Sequence, residues 1–379
     1  MSTLNVDSLK TLSGNGIDAQ IVSIGGGGLS NRNKFINGAM TISQRATSYT
    51  SLSDNQYTLD RFKHIIRGTN DSHYTQVSDH PDNFTKSMKV KCNSTYTPSA
   101  SDNAGFQSML EGQDLQDLNF GSANANSFTV SFYAKSASQN NNHQYTFQIR
   151  AFPSGGATSR IKNFPFTVTS SWQRFTFTFT GDTGADIRND NQLGMALLWN
   201  LNAGPDDITS QYTDWTTLGK FMCVTGQSNF LDNTNNEFYL TGVQLEVGDT
   251  ATTFEHRSYE DELRRCQRYF QLVEYAHAIA RSSTNTGGVT AQFVCEMRAS
   301  PTIGTMNIST KATNVGLNLQ GDGSANTTQS SGNQGSNYSS SRSMYLYDIS
   351  GFGGMTAGRS YIVAVPANNA VVFTATSEL

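Results

Sequence analysis

The side chains of this 379-residue chain that could do chemistry are carboxylates, thiols and aromatic rings, and their spacing limits what each can do. Asp114 with Asp117, and Asp182 with Asp186 and Asp190, are the carboxylate groups that invite comparison with a glycosidase, which needs one carboxyl as acid and a second as base or nucleophile. Their neighbours are Gly, Asn and Thr, residues that mark turns, so the reading is turn polarity and not an enzyme. Asp182, Thr183, Asp186 and Asp190 also form an alternative oxygen set for a structural calcium. They lack the glycine at the sixth and the glutamate at the twelfth place of an EF-hand loop, and no cofactor or metal is expected. Cys92, Cys223, Cys266 and Cys295 make no CxxC pair and have no histidine at ligand spacing, which reads as four buried, reduced thiols. Glycines 25–28 lack the Lys-Ser/Thr of a phosphate loop and read as a hinge.

Rings offer more. A sugar site stacks an aromatic ring on the apolar face of a pyranose and meets its hydroxyls with Asn, Asp or Gln. Tyr212, Asp214 and Trp215 in one loop-like stretch, and Tyr338 within a Ser/Asn-rich run, are the candidate glycan contacts. Trp172 and Trp199 fall in strand patterns and are expected in the core, a reading that stays open for Trp215 as well.

Bulk properties exclude several function classes. A net charge of -4 and a pI near 5.9 do not suit a surface that must neutralise phosphates, so nucleic acid is not an expected partner. No window holds the roughly 18 apolar residues of a membrane span, and the first 30 residues lack the basic start and apolar run of a signal peptide. With 36% hydrophobic and only 15% charged residues, the chain is dominated by Asn, Ser, Thr and Gly alongside many Phe and Tyr, which favours sheets joined by turns.

The elements that must position these residues follow from period. Between 31 and 257 it is two: Phe128, Val130 and Phe132 alternate with polar residues, as do Tyr145, Phe147 and Ile149, and Phe175, Phe177 and Phe179. Each is a half-buried strand, and their number predicts a mainly β fold, an antiparallel β-sandwich of jelly-roll type. From 258 to 273 the period changes. Ser258 can cap a helix with Glu260, Asp261 and Glu262 in its first turn and arginines beyond, and Tyr259, Leu263, Cys266, Phe270 and Val273 form one apolar stripe. That stripe must press on a neighbouring part of the same chain or on a subunit interface, and both stay open. Residues 274–379 read as a smaller β domain in which Val289, Ala291, Phe293, Cys295 and Met297 line one strand. The Gly/Ser/Asn/Thr/Gln run at 321–343 reads as a long exposed loop or disordered insert. Residues 1–30, with Leu4, Val6 and Leu9 as the sparse apolar positions and Gly25 to Gly28 as the joint, read as a docking peptide for a partner.

Five motifs carry a resemblance: NRNKFINGAM at 31–40 with Gln44 and Arg45, YTLDRF at 57–62, GVQLE at 242–246, RCQRYF at 265–270 and MRASPT at 297–302. In combination they resemble a family of bacteriophage tail-fibre and virion appendage proteins. The resemblance implies a β-sandwich similar to carbohydrate-binding modules, homotrimeric assembly, an amino-terminal anchor to other virion proteins, and a distal surface that meets host glycan. A virion component assembled in the host cytoplasm is the expectation, with a capsid decoration or head fibre as the alternative and a glycan depolymerase as a further one. Within the YTLDRF element, Arg61 is expected to pair with the adjacent Asp60 while Tyr57 and Phe62 fill the core, a role in folding and not in binding.

Overall fold

Alternating Phe and Thr cannot satisfy one strand alone, because the apolar face of each needs a second layer to bury it. The computed structural model describes residues 23–24, 27–28, 31–69, 71–217, 223–273, 276–280, 286–305, 318–320, 326–328, 336–347, 357, 360–364 and 373–379. Two six-stranded antiparallel sheets form the sandwich. Its strands are β1 (Ser48–Tyr49), β2 (Lys63–Arg67), β3 (Ser72–Val77), β4 (Ser87–Cys92), β5 (Asn103–Glu111), β6 (Phe128–Ser136), β7 (Gln144–Ala151), β8 (Arg160–Thr167), β9 (Gln173–Phe179), β10 (Leu193–Ala203), β11 (Thr216–Thr217) and β12 (Glu237–Val247). One sheet runs β11-β8-β7-β10-β5-β2 and the other β9-β6-β12-β4-β3-β1. The inner quartets β8-β7-β10-β5 and β9-β6-β12-β4 follow the winding of a jelly roll, as the period-two pattern predicts.

The core is aromatic. Trp199 on β10 is fully buried, stacks on Phe106 at 5.3 Å and 17°, and meets Phe132 of the opposite sheet edge-on at 5.5 Å. Phe128 stacks on Phe179 at 4.9 Å and 6°. Offset and edge-to-face pairs of this kind add about 0.5–1.5 kcal/mol each beyond area burial, which makes the two layers a rigid platform for whatever stands on their outer faces.

The helix is shorter than its stripe suggests. Ser258 Oγ accepts from the Asp261 amide at 3.1 Å, as capping predicts, but α1 spans only Tyr259–Gln267. Phe270–Val273 is a strand paired with Phe373–Thr376, which also pairs with Thr302–Thr305. A strand of Phe, Gln, Leu and Val gains more from a ladder than from a further helical turn. The stripe is corrected accordingly: Tyr259 is 64% exposed, Leu263 half-buried, and the inward residues of the helix are Glu262 and Cys266, followed by Tyr269. Phe270 and Val273 are buried, but on the strand.

That inward face packs on the sandwich of the same chain through a polar clasp to which three of the five motifs contribute, NRNKFINGAM with Gln44 and Arg45, YTLDRF and RCQRYF. Glu262 accepts from the Asn37 amide and from Arg257. Asn37 Nδ2 donates to the carbonyls of Ile42 and Asp60 at 2.9 Å. Gln44 gives both its backbone and side-chain N–H to Asp60 at 2.6 Å, so Asp60 serves Gln44 and not Arg61. Arg61, at φ 71°, instead donates to Glu378 and the Met109 carbonyl and lies 3.4 Å over the Tyr269 ring. Arg45 reaches Glu378 at 3.0 Å, and Arg268 and Tyr269 both donate to Glu111, at 2.6–2.8 Å. The left-handed turn of the YTLDRF element turns Arg61 away from its neighbour toward this remote carboxylate, which local sequence cannot reveal.

Further corrections concern the last hundred residues. The strand containing Val289 is Thr286–Gln292 and stops before Phe293, Cys295 and Met297. Within 321–343, Asn326–Thr328 and Ser336–Ser339 are strands paired to Asn318–Gln320 and Ser343–Tyr347. Backbone pairing at a sheet edge needs no apolar periodicity, so a Ser/Asn run can supply it. Leu4, Val6, Leu9 and Gly25 lie outside the described residues. Gly28 pairs with Ser23 across a short hairpin, so this part of the glycine run is strand and not open joint.

Candidate glycan-binding surface

On the outer face of the β9-β6-β12-β4-β3 sheet, one transverse row brings together an aromatic pair and charged groups. Tyr239 on β12 pairs directly with Lys135 on β6 and with Lys89 on β4. Gln173 pairs with Ala134, so Trp172, one residue earlier, stands level with Lys135 at the end of the row. At about 4.8 Å per strand, the three intervals from Trp172 to Lys89 span about 14 Å. All four side chains lie on the outer face, where Tyr239 is covered by its neighbours and 9% exposed, for one reason: Phe175, Phe132, Phe238 and Val90 on the same strands point into the core, and the strand period puts residues at odd separation from them on the opposite face.

The geometry of the row is fixed by hydrogen bonds. The Trp172 and Tyr239 rings lie 6.2 Å apart at 74°, and Lys135 Nζ sits 4.6 Å from the Tyr239 centroid and 5.6 Å from that of Trp172. Asp79 accepts from Trp172 Nε1 at 3.1 Å and from Lys135 Nζ at 2.5 Å. Glu237 accepts from Tyr239 OH at 2.5 Å and faces Lys89 at 3.4 Å. Partial burial opposes the Asp79 charge, but the bonds from Lys135 and Trp172 outweigh it and hold the carboxyl below its ordinary range. Burial, with the Glu237 carboxylate beside it, pushes the Tyr239 phenol above its ordinary value. The row therefore presents a half-buried indole, two lysine amino groups and two carboxyl acceptors on rigid strands. An indole beside hydrogen-bond donors and acceptors is a combination that can stack on a sugar ring while bonding its hydroxyls.

The residues singled out from sequence lie elsewhere. Tyr212, Asp214 and Trp215 sit on the connection between Ile208–Thr209 and β11, beside the edge of the other sheet. Asp214 is exposed, whereas Tyr212 is half-buried, and its amide donates to Asn163 Oδ1 at 2.7 Å. Trp215 is tied to the core edge: Nε1 donates to the Thr180 carbonyl at 2.8 Å, and its ring packs against Phe120 at 5.3 Å and Phe128 at 6.5 Å. Tyr338 lies on the Ser336–Ser339 strand. Trp172 reverses the expectation of a core residue, and Trp199 fulfils it.

Of the five carboxylates read as turn polarity, Asp114 is raised above its ordinary range by burial and the nearby Glu111, and the other four each have their own partner. Asp182 takes a bidentate contact from Arg160 at 2.7 and 3.1 Å, Asp186 accepts from Ser154, Asp190 takes a bidentate contact from Arg188 at 2.7 Å, and Asp117 meets Lys34 at 2.7 Å. The oxygen set considered for calcium is thus divided among separate side-chain contacts, and among the described residues no three His, Cys, Asp or Glu gather as a metal site. All four cysteines are free thiols, three of them buried and Cys295 half-buried. No described helix is long and apolar enough to cross a membrane.

No family model matches the sequence, and no curated protein does. Among solved structures, the chain is similar to the enzymatically active domain of bacteriophage CBA120 tailspike protein 4, at 13% identity over 57% of this chain and TM-score 0.28; it spans only 21% of that chain. It is also similar to the family 11 carbohydrate-binding module of a cellulosomal cellulase of Clostridium thermocellum, at 13% identity over 55% of this chain and 98% of that one, TM-score 0.29. A xylan-binding domain from Paenibacillus barcinonensis is 11% identical over 54% of this chain and 94% of that one, TM-score 0.28. At these scores no activity is carried from one protein to another.

Proposed function

We propose that this chain is a non-catalytic attachment protein of a bacteriophage particle, a homotrimeric tail fibre that binds host-surface glycan through its jelly-roll sandwich. The observation that carries the binding part is the Trp172–Lys135–Tyr239–Lys89 row, an aromatic and hydrogen-bonding strip fixed on four adjacent strands. A flat strip of this kind suits an extended oligosaccharide, which lays successive rings across a sheet and needs no enclosed pocket. The virion part is supported by the five motifs, of which those at 31–45, 57–62 and 265–270 clasp the sandwich to the segment after α1. Residues 1–28 then serve to dock the protein onto its virion partners.

Two experiments test this reading. Purified protein applied to immobilised bacterial surface polysaccharides should be retained without releasing reducing ends; release would replace attachment by depolymerisation, and no retention on any glycan would remove the binding part. Electron micrographs of immunogold-labelled particles should show label at the tail. Label on the head would give the capsid-decoration alternative, and unlabelled particles would end the virion assignment.

A further inference from the structure

A second place in the molecule has the make-up of a ligand site. At the junction of the sandwich with the segment after α1 lies an open cleft of about 530 Å³, lined by Gln113, Asp190, Asn191, Arg268, Glu296, Arg298 and their neighbours. We propose that this cleft is a saccharide subsite, separate from the Trp172 row and selective for neutral, hydroxyl-rich ligands. The inference rests on the glycan-binding reading given above and extends it to a second surface.

Its walls are held in place from both sides. The Arg298 guanidinium donates to the carbonyls of Asn191, Ser377 and Glu378 at 2.6–3.0 Å, and Asn191 Nδ2 donates back to the Arg298 carbonyl at 2.5 Å. The Arg298 amide donates to the Arg268 carbonyl at 2.8 Å. Preorganisation of this kind lowers the ordering cost of binding.

The charge pattern selects the ligand. Asp190 and Glu296 stand on the two sides of the cleft, their side chains 45% and 50% exposed. Each is paired with a cation, Arg188 at 2.7 Å and the exposed Arg342 at 2.9 Å, so neither calls for a cationic ligand to balance it. Arg268 is likewise neutralised by Glu111. Arg298 meets only main-chain carbonyls, so the lining sets two carboxylates, Asp190 and Glu296, against two guanidiniums, Arg268 and Arg298, with amide and hydroxyl groups between them, a set that accepts and donates hydrogen bonds and suits vicinal hydroxyls. An anionic sugar would meet the two carboxylates as well as the two arginines, and gains no net attraction. An apolar ligand would find little surface, because Met297 is almost wholly buried.

The test uses the full chain with carbon-13-labelled methionine methyls, titrated with maltotetraose, cellotetraose, xylotetraose and 3′-sialyllactose. The Met297 methyl, assigned through Met297→Leu, reports the cleft, and the Trp172 indole reports the row. A neutral tetrasaccharide should shift Met297 equally in the wild type and in Trp172→Ala. Glu296→Gln or Asp190→Asn, both at exposed side chains, should weaken that response at least five-fold while the indole response stays unchanged. A silent Met297 with every sugar, a response lost in Trp172→Ala, a response unchanged in both carboxylate variants, or a preference for sialyllactose would each overturn the proposal. A silent Trp172 beside a responding Met297 would instead sink the row and leave the cleft standing.

Discussion

Replacing Arg61 by Met should cost stability out of proportion to the volume removed. Arg61 is 1% exposed, and its partner Glu378 has a side chain only 5% exposed. Removing one member of a buried pair costs about 3–5 kcal/mol, because the other charge is left uncompensated. Arg45, 3.0 Å from the same carboxylate, relieves part of that. Loss of the cation over the Tyr269 ring at 3.4 Å adds about 1–2 kcal/mol when the site is desolvated, and the Met109 carbonyl loses a donor. The expected total is about 4 kcal/mol. At about 2–4 °C per kcal/mol for a domain of this size, calorimetry at pH 7 should show Tm falling by about 8–16 °C. Arg61→Met with Glu378→Gln should recover part of the loss, since the carboxylate is then no longer buried unpaired, while Arg45, 17% exposed, gives up its partner. A fall below about 3 °C, or singles that simply add in the double variant, would refute the clasp as a coupled unit.

Three further outcomes follow from named groups. Burial moves His64 from 6.5 down to about 4; between those values the unfolded chain binds a proton that the folded one does not, so stability is full above pH 6.5 and falls toward pH 4, by up to about 3 kcal/mol. Thermal scans from pH 7.5 to 4.5 should show this fall, smaller in His64→Gln; equal acid sensitivity in both would remove the cause. Burial pushes the Cys92 thiol up to about 11 and raises Cys223 and Cys266 further, so Ellman's reagent at pH 8 should leave these three unmodified in the native protein and label all four thiols in guanidinium. Fast native labelling of more than Cys295 would contradict the packing. Gly242 sits in the register shift between Thr241 and Gln244 on β12 at φ 64°, where an added Cβ would sit 2.7 Å from Phe84 and 2.8 Å from Tyr133; Gly242→Ala should therefore cost about 1–3 kcal/mol in a denaturant titration, and an unchanged midpoint would show that this irregularity relaxes freely.

The sandwich was legible because Phe and Thr alternate strictly, and alternation states which side of a strand is buried even when the partner strand is unknown. The same parity places Trp172 opposite Phe175, Phe177 and Phe179, and Tyr239 opposite Phe238 and Leu240, so the outer row could be read strand by strand. Its assembly could not, because Lys135, Tyr239 and Lys89 come level only through pairings between residues about 100–150 apart. Reading Trp172 as core followed residue type over parity. The choice of Trp215 failed for a related reason: a loop position does not tell which way a ring turns, and this one turns toward Phe120. The early end of α1 and the true partner of Arg61 both depend on residues near 376, too far along the chain for any local pattern. The clasp motifs were recognisable in sequence, whereas their joint function as one hydrogen-bonded junction was visible only in three dimensions.

Isothermal titration of the best-retained glycan into the wild type, Trp172→Ala and Trp215→Phe tests the central claim most directly. The row predicts at least a ten-fold loss of affinity in Trp172→Ala with Tm unchanged within 2 °C, and full affinity with lowered Tm in Trp215→Phe. Full affinity in Trp172→Ala, or a loss confined to Trp215→Phe, would contradict it.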